Sequence, residues 1–125
     1  MNLKKKKIIL VEDEPVLCEL IKTYLNYKDE NLEVIGFENA SEVEKYFKEN
    51  SKIADLMIVD LKLPDKNGVE LVRDLKSIGI EIPVVYMTGY VNQPVIEELN
   101  PDDILFTKPF PPEELYNTIL ELLKK

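Results

Sequence analysis

Short runs of apolar residues alternate along the chain with longer segments in which apolar residues recur every three or four positions. A continuous apolar run bounded by turn residues is typical of a buried strand, and the longer spacing is typical of an amphipathic helix. The predicted strands are Ile8–Val11, Leu32–Phe37, Leu56–Val59, Ile82–Met87 and Ile104–Phe106.

Five helices are predicted between and after these strands. In the second helix, Ser41 and Glu44 have the spacing of a capping box. In the first helix, the apolar stripe consists of Leu17, Leu20, Ile21, Tyr24 and Leu25. The helices are expected at about Pro15–Tyr27, Asn39–Asn50, Val69–Ile78 and Pro94–Leu99, and from Pro111 onward.

Strand and helix therefore alternate five times with short connections. This alternation predicts parallel strands joined by right-handed crossovers, with helices on both faces of one sheet. The fold class is α/β, a doubly wound parallel sheet. A length of 125 residues without a linker or a repeat predicts one domain spanning 1–125.

Composition narrows the function classes. The net charge of −8 argues against direct binding of nucleic acid or of anionic membrane surfaces, and the lysine run 4–7 is expected to be a solvated lead-in to the first strand. No apolar run is long enough to span a bilayer, and we expect a cytoplasmic protein. The chain has no histidine, which excludes Ser-His-Asp and Cys-His sites, and the single Cys18 is expected to be a small core residue.

Polar side chains follow four of the five predicted strands at the point where each strand ends. They are Glu12 and Asp13 after the first strand, Asp60 after the third, Thr88 after the fourth and Lys108 after the fifth. In a parallel sheet these ends share one edge, which is where ligands of open α/β sheets bind.

Three neighbouring carboxylates repel one another, and a hard divalent cation relieves that repulsion. Oxygen ligands without nitrogen or sulfur suit Mg²⁺, which commonly accompanies phosphate. Together with the ammonium of Lys108 and the hydroxyl of Thr88, the site could stabilise charge on a phosphoryl group, and Asp60 could itself attack phosphorus to form an aspartyl phosphate.

The sequence resembles the receiver domain of two-component response regulators along essentially its whole length. The matching segments are IILVEDEP, LMIVDLKLPDKNGVEL, VVYMTGY and FTKPFPPEEL, in that order. The resemblance implies the flavodoxin-like receiver fold, with strand order 2-1-3-4-5 and five helices.

The resemblance also implies a role for each residue of the site. Asp60 matches the phosphoacceptor, Asp13 a direct Mg²⁺ ligand, and Glu12 an acid that acts on the metal through water. Lys62 would lend its backbone carbonyl to the metal. Two further matches are Thr88, the hydroxyl that reorients towards the phosphoryl group, and Lys108, whose bond to Pro109 is expected to be cis.

Receivers accept the phosphoryl group from a phosphohistidine of a sensor histidine kinase or a phosphotransfer protein, and the resemblance also allows a phosphorylation-dependent dimer. One departure concerns the switch: the family often has an aromatic residue where this chain has Leu105. Phe106 is one place later and is expected on the other face of the strand. The segment between Thr88 and the fifth strand is also short.

Two alternatives in other classes stay open at this point. One is a receiver-like interaction module with little phosphate-dependent switching, for which Leu105 is the argument. The other is a phosphotransferase of the haloacid-dehalogenase type, which would expect an acid at the position of Lys62. A flavodoxin-like cofactor binder fits poorly, because the acids at residues 12–14 would repel a phosphate after the first strand.

Overall fold

The computed structural model describes residues 5–50, 54–89 and 94–124. The five strands are β1 (Lys6–Val11), β2 (Leu32–Phe37), β3 (Leu56–Asp60), β4 (Val84–Thr88) and β5 (Ile104–Thr107). The four α-helices are α1 (Pro15–Lys28), α2 (Ala40–Glu49), α3 (Gly68–Ser77) and α4 (Pro112–Leu123). A 3-10 helix, Pro94–Glu98, lies between β4 and β5.

The strands form one parallel sheet in the order β2-β1-β3-β4-β5, which confirms the predicted topology. The carboxyl ends of β1, β3, β4 and β5 therefore lie along one edge. β2, whose end carries no candidate site residue, is an edge strand.

Each face of the sheet is covered by its own apolar core. On one face, α2, α3 and the 3-10 helix pack on β-strand residues such as Met57, Val59 and Tyr86. On the other face, α1 and α4 pack on alternate residues of the same strands, such as Ile58 and Met87. The alternation places consecutive strand residues in different cores, which is why the central strands are apolar throughout.

The fourth predicted helix is the main difference from the sequence-based expectation. It is a five-residue 3-10 helix rather than an α-helix, so the described chain has four α-helices instead of five. Proline occupies its first position, and Pro101 follows shortly after its end. A segment this short between two prolines cannot establish a run of i to i−4 hydrogen bonds.

Smaller predictions also needed correction. The cap of α2 is Asn39, whose side chain accepts a hydrogen bond from the N–H of Glu42; Ser41 and Glu44 do not form the predicted capping box. Strand β4 begins after Pro83 rather than at Ile82. Leu20, assigned to the buried stripe of α1, is 62% exposed, and Ile78 is also exposed.

Two predictions hold at the level of local packing. Gly79 follows α3 with a φ of 90°, a conformation that glycine adopts without strain. Cys18 is half-buried and packs against the core under α1.

Lys4, part of the predicted lead-in, lies outside the described residues. None of the described helices is long and apolar enough to cross a membrane.

Candidate functional site: an acidic pocket at the carboxyl edge of the sheet

The structure brings the candidate residues together at the carboxyl edge of the sheet. Asp60 is the last residue of β3 and Thr88 the last residue of β4. Glu12 and Lys108 directly follow β1 and β5. Glu12, Asp60 and Thr88 are the buried polar or charged residues among those described.

Lys108 joins two of the carboxylates. Its ammonium nitrogen lies 2.5 Å from Oδ2 of Asp60 and 2.6 Å from Oε1 of Glu12. The Lys108 side chain is 15% exposed, the Asp60 side chain 6% and the Glu12 side chain 0%. Charge-assisted hydrogen bonds in so dry a setting are stronger than exposed ion pairs, and they hold the three side chains in fixed positions.

Backbone donors bind the remaining oxygens of both carboxylates. The N–H of Lys62 donates to Oδ1 of Asp60 over 2.9 Å, and the N–H of Glu14 donates to Oε2 of Glu12 over 3.1 Å. All four oxygens of Glu12 and Asp60 therefore accept a hydrogen bond. Asp13, by contrast, is exposed beside them.

The site shifts the ionisation of its members. Burial, aided by the charge of Asp60, raises the pKa of Glu12 to about 7, and the hydrogen bonds from Lys108 and Glu14 only partly oppose this. Burial by itself would lower the pKa of Lys108, but its bonds to Asp60 and Glu12 outweigh burial and raise that pKa. Glu12 and Asp60 thus share hydrogen bonds from one ammonium group, which stays protonated.

The donor set fits a hard divalent cation. Carboxylate oxygens of Glu12, Asp13 and Asp60 all lie within 4.8 Å of one another. Three carboxylates and one ammonium leave two negative charges when all are ionised, which a divalent cation would neutralise. Oxygen-only ligands and room for water match the coordination habits of Mg²⁺.

Thr88 is fully buried at the end of β4, between the strands that carry Asp60 and Lys108. Its backbone carbonyl accepts a hydrogen bond from the N–H of Lys108 over 2.8 Å. The N–H of Leu61 likewise donates to the carbonyl of Met87 over 2.8 Å. These bonds extend the sheet ladder up to the site and fix the spacing of the three strand ends.

A groove of about 810 Å³ opens onto the carboxylates. Its polar lining includes Asp13, Asp60, Lys62 and Lys108. The rest of the lining is mostly apolar and comes from α1 and from residues at and just before the start of α4. Its apolar lining includes Val16, Leu17, Leu20, Tyr24, Phe110 and Pro112.

Comparison with known proteins identifies this arrangement. The sequence profile of the family described as "Response regulator receiver domain" matches residues 8–120. The chain belongs to the response regulator receiver family.

Relatives of this receiver include longer regulators. It is 36% identical over 122 residues to the transcriptional regulatory protein CiaR of Streptococcus pneumoniae, covering 95% of this chain and 52% of CiaR. It is 32% identical to the virulence transcriptional regulatory protein PhoP of Salmonella choleraesuis, with the same coverage. The chain thus spans about half the length of these curated relatives.

A solved receiver structure has the same fold. The signal receiver domain of a LuxO repressor protein from Vibrio parahaemolyticus superposes with a TM-score of 0.79 and is 29% identical. The superposition covers 96% of this chain and 91% of that domain. Membership of the receiver family leaves the haloacid-dehalogenase alternative without support.

In this receiver, Leu105 and Phe106 lie on opposite faces of β5, as predicted. Leu105 packs against the core under α2, α3 and the 3-10 helix. Phe106 packs against the core under α1 and α4, where its ring lies 5.2 Å from that of Phe110. Phe106 therefore does not replace the missing aromatic residue at the position of Leu105.

Two residues of the loop after Asp60 have structural roles beyond the predicted site. Asn67 is the cap of α3, and its side chain accepts a hydrogen bond from the N–H of Glu70. Asp65 binds the start of α2. The capping spacing from Asn67 to Glu70 was visible in the sequence, whereas the contact of Asp65, 24 and 25 residues from its partners, had no local signal.

Proposed function

We propose that this protein is the phosphoacceptor receiver of a two-component system, with Asp60 as the residue that takes the phosphoryl group. The observation that carries the proposal is the position of the Asp60 carboxylate. It lies at the end of a central strand, bonded to Lys108, with two further carboxylates within reach of one cation.

The reaction is a transfer of a phosphoryl group between two nucleophiles. One carboxylate oxygen of Asp60 forms a bond to phosphorus, the N–P bond of the donor phosphohistidine breaks, and its electron pair stays on the imidazole. Bound Mg²⁺ would supply charge neutralisation for the phosphoryl oxygens. Lys108 would exchange its bond to Asp60 for one to a phosphoryl oxygen, and the Thr88 hydroxyl would donate to another.

The metal ligands are assigned from burial and hydrogen bonding. Asp13 is exposed beside the pocket and, with Asp60, would bind Mg²⁺ directly. Glu12 is buried and both its oxygens accept hydrogen bonds, which favours an interaction through water. Lys62 would contribute its backbone carbonyl, and the hydrogen bond from its N–H to Asp60 keeps the Lys62 backbone beside the site.

The apolar part of the groove lining supports a protein as the phosphodonor. Val16 and Leu20 on α1 are 75% and 62% exposed, and they adjoin the pocket that contains Asp60. A partner helix that carries a phosphohistidine could bury these side chains while it presents the phosphoryl group to Asp60. These exposed apolar side chains support the proposal that the donor is a sensor histidine kinase or a phosphotransfer protein.

Several properties follow from the proposal and stay predictions. The protein would act as a cytoplasmic signalling module rather than as a metabolic enzyme, with residues 1–125 as one receiver domain. Its surface charge argues against direct binding of nucleic acid by this chain, and a phosphorylation-dependent dimer is compatible with the family. The output partner would recognise the phosphorylated form.

A second candidate is an interaction module in which phosphorylation changes the surface little. The observation that favours it is Leu105, which packs in the core at the position where receivers often have an aromatic switch residue. The two candidates differ in their response to beryllofluoride with Mg²⁺, which mimics the phosphoryl group. A switching receiver shows amide shifts at β5 and α4, whereas a passive module shows shifts confined to the strand ends.

The test of phosphoryl transfer uses acetyl phosphate or phosphoramidate with Mg²⁺, followed by intact mass. We expect one added phosphoryl group on the wild type and none on Asp60→Asn. Asp55→Asn is the matched control, because Asp55 precedes the same strand at the opposite edge and should leave labelling unchanged. An unlabelled wild type, or equal labelling of Asp60→Asn at another acid, would contradict the proposal.

A further inference from the structure

The loop between β3 and α3 is tied to a distant helix by one carboxylate. Asp65 accepts hydrogen bonds from the backbone N–H of Ala40, over 3.0 Å to Oδ1, and of Ser41, over 2.8 Å to Oδ2. Ala40 and Ser41 are the first two residues of α2, 25 and 24 positions earlier in the chain. Both oxygens of one side chain thus bind two consecutive peptide groups.

This contact completes the cap of α2. The first N–H groups of a helix have no partner within the helix. The local cap, Asn39, accepts from the backbone N–H of Glu42 and from the hydroxyl of Ser41. Asp65 supplies the acceptors for the backbone N–H groups of Ala40 and Ser41. Asp65 is exposed, and the hydrogen bonds from Ala40 and Ser41 outweigh the opposing effect of desolvation and lower the pKa of its carboxyl group. The group that accepts both hydrogen bonds at the start of α2 is therefore an anion.

The other end of the same loop forms part of the phosphoacceptor pocket. The N–H of Lys62 donates to Oδ1 of Asp60, and Lys62 and Asn67 form a short antiparallel bridge. The N–H of Gly68 closes the loop by donating to the carbonyl of Leu61 over 2.9 Å. Residues 61–68 therefore form a closed turn, with the Lys62 backbone at the site and Asp65 near its tip.

We propose that Asp65 is a positioning residue for the metal and phosphoacceptor site. By fixing the tip of the closed turn to α2, it sets the orientation of the Lys62 backbone, whose N–H binds Asp60 and whose carbonyl would bind Mg²⁺. The inference rests on the proposed function, since it concerns the same site. Contacts that orient the ligands of a metal typically change its affinity by about 10- to 100-fold when they are removed.

The neighbouring Lys66 does not serve the same purpose. Its ammonium pairs with Glu44 over 2.9 Å and with Asp74 over 2.7 Å, so it also connects the loop to α2 and α3. These partners are carboxylates at the ends of side chains, whereas Asp65 binds two backbone N–H groups of a helix. The long lysine side chain can keep its ion pairs over a wider range of loop positions than the short Asp65 side chain can keep its two backbone hydrogen bonds.

The test compares Asp65→Ala with Asn39→Ala. Both substitutions remove a hydrogen-bond acceptor at the start of α2. Of the two residues, only Asp65 lies in the turn that contains Lys62 and so connects that helix to the site. We expect the two melting temperatures to fall by similar amounts. Only Asp65→Ala should raise the Kd for Mg²⁺, about 10-fold by amide chemical-shift titration, and slow labelling by acetyl phosphate.

A readout in the metal-free protein addresses positioning directly. In Asp65→Ala, the Lys62 N–H should lose its bond to Asp60 and exchange with solvent at least about 10-fold faster than in Asn39→Ala. If Asp65→Ala fails to fold, Asp65→Asn, which keeps one acceptor oxygen, is measured instead and should show the same changes in smaller degree.

The outcomes separate this proposal from the one it rests on. A wild type that neither binds Mg²⁺ nor takes a phosphoryl group overturns both. A wild type that does both, with Asp65 variants whose Mg²⁺ affinity and Lys62 exchange match those of Asn39→Ala, overturns only the positioning role and leaves Asp65 as a helix cap.

Discussion

Lys108 reaches Asp60 across an intervening strand: its ammonium lies 2.5 Å from Oδ2 of Asp60, although β4 separates β5 from β3. The backbone of Lys108 is meanwhile bonded to Thr88 at the end of that intervening strand. The lysine is thus anchored at one strand end and bonded at another. Because Pro109 and Phe110 follow it directly and lead into α4, a change at Asp60 has a short route to the last helix.

Replacement of Lys108 by alanine should uncouple phosphorylation of Asp60 from the structural change in α4. The change leaves the carboxylates of Glu12 and Asp60 without their ammonium and should cost roughly 3 kcal/mol of unfolding free energy. A domain of this size has about 5–15 kcal/mol, so the variant should stay folded. With beryllofluoride and Mg²⁺, its α4 amides should not shift as those of the wild type do, as measured by NMR.

The control for this variant is Lys124→Ala, which removes a lysine whose only described ion pair, with Glu121, is 4.0 Å long and exposed. Lys124→Ala should have the unfolding free energy of the wild type and the same α4 amide shifts with beryllofluoride and Mg²⁺. Identical α4 shifts in Lys108→Ala and the wild type would mean that Lys108 does not transmit the change.

Glu12 should make the metal-free protein less stable as the pH rises. Its pKa is about 7 in the folded chain and 4.5 ordinarily, so between these values the folded state holds a proton that the unfolded state has lost. The unfolding free energy therefore falls as pH rises through this window, by roughly 3 kcal/mol at most, and stays lower above it. Urea unfolding in EDTA from pH 5 to 8 should show the fall, and Glu12→Gln should lack it.

Saturating Mg²⁺ offers the complementary measurement. Metal binding requires ionised ligands, so the gain in stability on adding Mg²⁺ should be larger at pH 8 than at pH 5. If Glu12→Gln shows the same pH dependence in EDTA as the wild type, buried Glu12 is not its source.

Gly68 should be required for the close approach of α3 to the phosphoacceptor. A Cβ at this position would lie 2.5 Å from the carbonyl oxygen of Asp60 and 2.8 Å from Cγ1 of Val59. Gly68→Ala must therefore displace backbone beside the site, at a cost of about 1–3 kcal/mol. Slower labelling by acetyl phosphate should accompany the loss of stability.

Gly89 is the matched control because it also adjoins the site. Among the described residues other than its chain neighbours, the atom nearest to a Cβ there would be Cδ of Lys108, at 4.0 Å. Gly89→Ala should change the unfolding free energy by about 0.5 kcal/mol or less. Equal effects of the two substitutions would show that the contact of Gly68 with Asp60 is not what matters.

The ring pair of Phe106 and Phe110 should couple β5 to the start of α4. The ring centroids are 5.2 Å apart and the planes are tilted by 49°. A double-mutant cycle with alanine at both positions should give a coupling energy of about 0.5–1.5 kcal/mol. The same cycle with Leu105 and Phe110 should be additive, since these side chains pack in different cores. Coupling of similar size in both cycles would contradict the assignment of the faces.

The sequence predicted most of the fold because the signals for it are local. Apolar runs such as Leu56–Val59 marked the buried strands, and the alternation of strands and helices set a parallel sheet. Helix α1 begins at Pro15 as predicted, and α4 begins at Pro112, one residue after its predicted start at Pro111. The predictions were wrong where a local pattern is compatible with both a buried and an exposed side chain. Leu20 fits the spacing of the apolar stripe of α1, but its side chain is exposed.

The sequence by itself determined which chemical groups stand at the strand ends, because strand ends and side-chain types can be recognised from neighbours along the chain. Only the tertiary structure decided how those groups share hydrogen bonds. It showed that Lys108 binds both Glu12 and Asp60, that burial raises the pKa of Glu12, and that Asp65 ties the loop to α2. Such contacts join residues 24–96 positions apart and depend on distances and burial that no local pattern encodes.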